Sequence, residues 1–180
     1  MNKYKKQIQA LHKHLGIPAD YQQRFGLPQY KEALELVEIG KNISGSPCQL
    51  TPQAYNHWQA MEKAAELDGI TLQVVSAFRS VERQAEIIKY KLSNGQLIED
   101  ILKVSAAPGY SEHHTGNALD ITTPGYQPLE EVFENSDAFH WLQKNTDRFM
   151  FFLSYPRNNK YNIAYEPWHW KYCSGTKQGE

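Results

Sequence analysis

The sequence predicts an α+β domain. Helical stripes of apolar residues are interleaved with short β-branched runs, and the chain closes on two apolar runs joined by a turn, the pattern of an antiparallel pair. A length of 180 residues suits one domain, or one domain with a small appendage. The chain is 41% apolar and 22% charged, which excludes wholesale disorder. Nineteen Lys and Arg stand against twenty Asp and Glu, so charge gives no drive toward nucleic acid or an anionic membrane. No run approaches the roughly 18 apolar residues of a membrane span.

The elements follow in order. Ile8, Leu11 and Leu15 share a helical stripe that Gly16 and Pro18 stop. Ala33, Leu34 and Val37, with Ile39, suggest a second short helix ended by Gly40. Residues 1–45 thus read as a helical N-terminal extension packed on a main domain of residues 46–180, with Asn42–Pro47 as the linker. Thr51 is placed to cap a helix that has Pro52 in its first turn, buries Ala54, Tyr55, Trp58, Met61, Ala65 and Leu67, and ends at Gly69. Residues 70–78 (ITLQVVSAF) read as a strand. Ser80 caps a further helix carrying Ala85, Ile87, Ile88 and Leu92, and residues 96–104 make another helical turn or two. After a small, polar, Gly-punctuated stretch, ALDIT (118–122) is a short strand. Ser136 caps a helix with Phe139, Trp141 and Leu142 inward. MFFLS, the turn NNKYN and IAYEPWHWKYC close the chain, and Pro167 calls for an edge, bulge or bend in the last strand.

Met1 to Lys6 is basic, as the first part of a signal peptide is. The apolar stretch that should follow is broken by His12, Lys13 and His14. No signal peptide is read, so the expected location is the cytoplasm, or outside it for a protein whose signal has been removed. Cys48 and Cys173 are expected as free thiols, although an oxidising compartment would allow one disulfide.

Two of the seven histidines stand in settings that carry chemistry. In Ser111-Glu112-His113-His114-Thr115-Gly116-Asn117-Ala118-Leu119-Asp120, strand alternation turns Leu119 and Ile121 to a core and Asp120 to the opposite face. A carboxylate beside small residues needs a cation or donors. Gly116 lets the chain turn and Ala118 leaves space, so an imidazole and Asp120 can converge. In Glu166-Pro167-Trp168-His169-Trp170, a turn at Pro167 puts Glu166 and His169 on one side, which an ideal strand would not. Two imidazoles and one carboxylate suit Zn²⁺, and three protein ligands leave a fourth position for water, as in catalytic zinc sites. Such a water ionises near pH 7 rather than about 15.7. An unligated Glu166 beside it can move its proton to a leaving amine.

Each residue also has a plainer reading. An isolated histidine is most often surface or satisfied core. His114 is expected to point away, as polar surface or a support behind the site, and His12, His14, His57 and His140 to be structural or solvated. Arg79 could pair with an acid, but a cation is unfavourable at a helix start, so a task elsewhere is expected. Gln84 stands between helix surface and substrate contact, Ser111 between turn and function. Trp58, Trp141 and the cluster Phe149–Phe152 read as core.

The pattern Ser-x-His-x-x-Gly-x-Ala-x-Asp, followed by Glu-x-x-His and preceded by Ser-x-Phe-Arg-Ser, resembles the D-alanyl-D-alanine carboxypeptidase family of zinc peptidases. That family includes the D,D-dipeptidases and D,D-carboxypeptidases of vancomycin resistance and L,D-carboxypeptidases that trim peptidoglycan peptides. The resemblance covers residues 50–173; residues 1–45 lie outside it. It implies a small antiparallel sheet flanked by helices, and one Zn²⁺ held by His113, Asp120 and His169. Glu166 would be general base and then general acid, with Arg79 at the scissile carbonyl or terminal carboxylate. Gln84 and Ser111 would contact substrate, and Trp168 and Tyr110 would wall the pocket. The spacing to Gly116, Ala118 and Asp120 selects His113 over His114. The expected protein is a monomeric zinc carboxypeptidase that removes a terminal D-amino acid, with D,D- or L,D- preference open, from a peptidoglycan stem peptide. The alternatives are an endopeptidase cutting cell-wall cross-links and a non-catalytic zinc-stabilised binding module. The signalling domain of hedgehog proteins, which resembles this fold and keeps a similar zinc site, illustrates the latter. An open groove would favour the endopeptidase; a pure binder has no need of an unligated Glu166.

Overall fold

The structure, a computed structural model, describes residues 3–175. Helix α1 (Lys3–Leu15) and the short α2 (Tyr21–Phe25) lead into a hairpin of β1 (Val37–Lys41) and β2 (Pro47–Leu50). Then come α3 (Pro52–Leu67), β3 (Gln73–Ser76), α4 (Val81–Ser93), α5 (Ile98–Val104), β4 (Ala118–Thr122), α6 (Asp137–Asn145), β5 (Phe151–Leu153) and β6 (His169–Tyr172). Four strands form an antiparallel sheet in the order β3-β4-β6-β5. A small antiparallel sheet among helices is the expected α+β class.

Alternation along β4 organises the packing. All five of its residues are buried. Leu119 and Ile121 join a core with Ala54, Trp58, Met61 and Ala65 of α3, Phe139 and Leu142 of α6, and Phe151 and Trp170 of the neighbouring strands. Asp120 lies on the opposite face, as period-two geometry requires. A second core gathers Leu15, Ile17, Tyr21, Phe25 and Leu27 against Ala85, Ile88, Ile101, Leu102, Tyr155 and Ile163. Each such aliphatic or phenyl side chain contributes about 1.5–3 kcal/mol when fully buried. The N-terminal segment is therefore built into the structure that carries α4 and α5.

The three caps form as the residues dictate. Thr51, Ser80 and Ser136 accept from the N–H groups of Ala54, Arg83 and Phe139, each cap typically stabilising its helix by about 1 kcal/mol. Leu67 departs from its expected stripe and is exposed. Cys48 is buried, Cys173 half-buried, and both are free thiols.

Two local expectations are corrected. Residues 37–41 form a strand, not a helix: Val-Glu-Ile alternates with period two, β-branched residues favour the pleat, and Leu34 of the supposed stripe is fully exposed. Asn42–Pro47 is not a linker but the hairpin turn, in which Asn42 Oδ1 accepts from the N–H groups of Ser44 and Ser46. The last strand is also shorter than IAYEPWHWKYC. Pro167 cannot donate to a ladder, and pairing begins only at His169.

Candidate metal centre

Strands β4 and β6 are neighbours, and Asp120 and His169 are register partners across them, each 3% exposed. His113 arrives from a 3-10 turn (Glu112–Thr115) that Gly116 closes in the left-handed region at φ +66°. A Cβ on Gly116 would lie 2.8 Å from Leu36 Cδ2, so glycine meets both the conformation and the close approach. This turn lays His113 Nε2 3.1 Å from Asp120 Oδ2, while His169 Nδ1 lies 3.0 Å from Asp120 Oδ1. Donor atoms of the three residues lie within 4.8 Å of one another. Tetrahedral zinc with bonds of about 2.0–2.1 Å sets its ligand atoms about 3.3 Å apart, close to the two contacts seen.

The remaining ring nitrogens are fixed by acceptors. His113 Nδ1 lies 2.7 Å from the Ala77 carbonyl oxygen, so it carries hydrogen and leaves Nε2 facing Asp120. His169 Nε2 lies 3.0 Å from Glu112 Oε2 and leaves Nδ1 facing Asp120. A metal-binding histidine needs its second nitrogen held in this way to set tautomer and ring angle.

The electrostatics invite a cation. Burial alone would raise the Asp120 carboxyl and lower the His169 imidazole. The charge of His113 and hydrogen bonds from His113 and His169 instead hold Asp120 well below the usual carboxylate range. Hydrogen bonds to Asp120 and Glu112 push His169 up to about 10 despite its burial. The carboxylates facing His169 thus favour positive charge there, whereas burial pushes the His113 imidazole down, toward the neutral form a metal ligand needs. Nitrogen and oxygen donors of this kind suit zinc, so the residues fit the group.

Glu166 stands beside this set without joining it. His169 N–H donates to the Glu166 carbonyl at 3.1 Å, closing a turn through Pro167 and Trp168. That turn puts both side chains on one side, with Glu166 Oε2 3.8 Å from His169 Nδ1. Burial raises the Glu166 carboxyl to about 7, the positive charge of His169 opposing and Asp120 reinforcing the shift. Arg79 reaches the same place from the loop before α4. It donates to Gln84 Oε1 and to Ser76 Oγ at 2.8 Å each, and its Nη2 lies 3.6 Å from Asp120 Oδ2.

A cavity of about 420 Å³ opens over these groups and is lined by Arg79, Gln84, Ser111, Glu166 and Trp168, together with His113, Asp120 and His169. Gln84 is buried, with Oε1 accepting from Arg79 and Nε2 donating to the Ala106 carbonyl, which makes it a brace for the guanidinium rather than helix surface. One expectation changes and one alternative is decided. Tyr110 does not line the cavity; it packs edge-on against Tyr21 and beside His12. Of the two readings of His114, the structure takes the support behind the site: the ring is wholly buried. Its Nδ1–H donates to the Arg79 carbonyl and its Nε2 accepts from Gly109 N–H.

Sequence reasoning missed Glu112 and Lys91. Glu112 adjoins His113 in the chain, but only the fold turns it to His169. Lys91 lines the cavity with Gln84 and Ile87, a spacing of i, i+3, i+7 that helical periodicity could have flagged.

Fold and site together define a small α+β domain with a buried His–Asp–His group that could hold a metal ion and an acid beside it. Residues 47–175 match the family model for VanY, D-alanyl-D-alanine carboxypeptidase. The chain belongs to this family. It is 35% identical over 125 residues to the YodJ protein of Bacillus subtilis (strain 168), covering 67% of this chain and 45% of that one. It is 29% identical over 154 residues to a D-alanyl-D-alanine carboxypeptidase of Enterococcus faecalis (strain ATCC 700802 / V583), covering 80% and 53%. The chain thus spans about half the length of these two relatives. Among solved structures it is similar to the LdcB LD-carboxypeptidase (TM-score 0.70, 30% identity, 81% of this chain and 71% of that one). It is also similar to a vancomycin-resistance D,D-pentapeptidase VanY in complex with Zn(II) (TM-score 0.62, 28% identity, 81% and 82%).

Proposed function

We propose that the chain is a zinc-dependent carboxypeptidase that removes a terminal D-amino acid from a peptidoglycan-type peptide. The observation that carries this reading is Glu166: a largely shielded carboxyl, 13% exposed, that lies 3.8 Å from His169 Nδ1 and lines the cavity. His113 Nε2, Asp120 and His169 Nδ1 would hold the ion. When bound, zinc supplies a Lewis acid for the scissile carbonyl and a water that ionises near neutral pH. Glu166 takes the proton of the attacking water on its carboxylate and passes it to the departing amine nitrogen. Arg79, immobilised by Gln84 and Ser76, offers paired donors to the charge that develops on the carbonyl oxygen. Ser111 and Trp168 bound the space the peptide fills.

Lys91 supports an exopeptidase over an endopeptidase. It lines the same cavity, and its ammonium donates to the neutral Ser105 hydroxyl at 2.7 Å, with no ion-pair partner among the described residues. Burial lowers its pKa, while the charge of Glu166 acts in the opposite direction, which places the ammonium within electrostatic reach of the reacting groups. A cation so placed can receive the free carboxylate of a terminal residue. The reading is tested by metal analysis and by product analysis with tetrapeptide and pentapeptide stems. Hydrolysis of a terminal D-residue is expected, lost with a chelator and restored by zinc. Glu166→Ala is expected to slow turnover about 10²–10⁴-fold, the usual contribution of general acid–base catalysis. Undiminished turnover in that variant, or a chain that binds no zinc, would end the proposal.

A further inference from the structure

Glu112 is buried beside the metal centre, and its two oxygens do different things. Oε2 faces His169 Nε2 at 3.0 Å and accepts from the Ser154 hydroxyl at 2.5 Å. Oε1 accepts from Lys171 Nζ at 3.0 Å and from the Tyr30 hydroxyl at 3.2 Å. Lys171 also donates to the Tyr30 oxygen at 3.1 Å and sits 4.6 Å above that ring. Tyr30 lies outside the family-matched residues 47–175. It is held in place by its own backbone: its N–H donates to the Gly109 carbonyl at 2.8 Å, and its carbonyl accepts from the Tyr4 hydroxyl at 2.7 Å. Three residues on, Ala33 N–H donates to the His114 carbonyl at 2.8 Å. The N-terminal segment therefore grips both the turn that bears His113 and the acid that orients His169.

We propose that this segment is a working part of the metal centre: Tyr30, acting through Glu112, fixes the His169 ring so that Nδ1 is presented to the ion. The inference rests on the metal-site reading above but not on the reaction. Its chemistry is that of an outer carboxylate on a ligand histidine, whose loss commonly lowers metal affinity 10–100-fold. Tyr30 and Lys171 hold Oε1 and so aim that carboxylate, and Ser154 occupies the lone pair of Oε2 that His169 does not use. Tyr30 and Glu112 are thus positioning residues.

The test is the zinc dissociation constant of the full-length chain, measured by competition with a chromophoric chelator, alongside the urea-unfolding midpoint of the metal-free form. Glu112→Gln keeps the shape and removes the charge; it is expected to weaken zinc binding at least about tenfold. Tyr30→Phe keeps the ring over Lys171 and removes only the hydroxyl; about three- to tenfold weakening is expected, less than from losing the carboxylate itself. Should the first variant fail to fold with Lys171 left without its acid, the double variant Glu112→Gln/Lys171→Met keeps the charge balanced and reads the same constant. Zinc constants within twofold of wild type in the Glu112 and Tyr30 variants would overturn the proposal, and so would a Tyr30→Phe chain whose only change is a lower metal-free midpoint. A wild-type chain that binds zinc tightly yet cleaves no stem peptide would end the hydrolase reading and leave this inference standing. A wild-type chain that binds no zinc would end both.

Discussion

Asp120 and His169 face each other across adjacent strands as register partners, with Asp120 Oδ1 3.0 Å from His169 Nδ1. They are 49 positions apart in the chain, so the contact exists only because β4 pairs with β6. Backbone pairing sets the spacing of two of the three proposed ligands, and the turn ending at Gly116 sets the third. Asp120→Asn keeps the shape and removes the charge that two imidazoles share. It is expected to cost more metal affinity than the ~10–100-fold typical of an outer-shell loss. Zinc content after gel filtration, by atomic absorption, checks this; a variant that retains stoichiometric zinc contradicts the assignment.

Arg79→Lys removes a planar fork and leaves a point charge. The bonds to Gln84 and Ser76 cannot both be kept by one ammonium at the same reach. Turnover is expected to fall about a hundredfold with KM little changed, as when a donor acts only on charge developing in the transition state. Steady-state kinetics separate the two constants. An effect on KM alone would move Arg79 from the carbonyl to ground-state binding.

Lys91→Met should raise KM for a peptide with a free terminal carboxylate by about tenfold, one charge-assisted hydrogen bond at about 1.5 kcal/mol. The matched C-terminal amide should bind both proteins equally weakly. Equal sensitivity of acid and amide to the substitution would remove Lys91 from carboxylate recognition and favour an endopeptidase.

His114 predicts how stability follows pH. Its neutral tautomer satisfies both neighbours, whereas protonation would set an N–H donor against Gly109 N–H. Burial lowers its pKa from 6.5 to about 4. Between those values the unfolded chain binds a proton that the folded chain does not, so stability is full above pH 6.5 and declines as pH falls. The decline is up to about 1.4 kcal/mol per pH unit, or about 3 kcal/mol in all. Urea-unfolding midpoints of the metal-free chain across this range, beside those of His114→Gln, isolate the contribution. The same slope in both chains would assign the pH dependence to other groups.

The helix caps at Thr51, Ser80 and Ser136, the alternation of ALDIT and the turn at Pro167 were all legible in the sequence. A cap bonds a backbone group three residues away, a strand alternates every second residue, and a proline restricts its immediate neighbours. The spacing Ser-x-His-x-x-Gly-x-Ala-x-Asp is local in the same sense, so His113 could be separated from His114 before any fold was known. What happens at Val37–Lys41 is not local. The stretch has enough apolar residues for either period, and pairing with Pro47–Leu50 decides for the strand. The roles of Glu112, Lys171 and Tyr30 likewise depend on contacts spanning 57 to 141 positions. Short-range order is written in hydrogen bonds and sterics within a turn or two. Which distant side chains share one desolvated space is settled only when burial and strand pairing act on the whole chain at once.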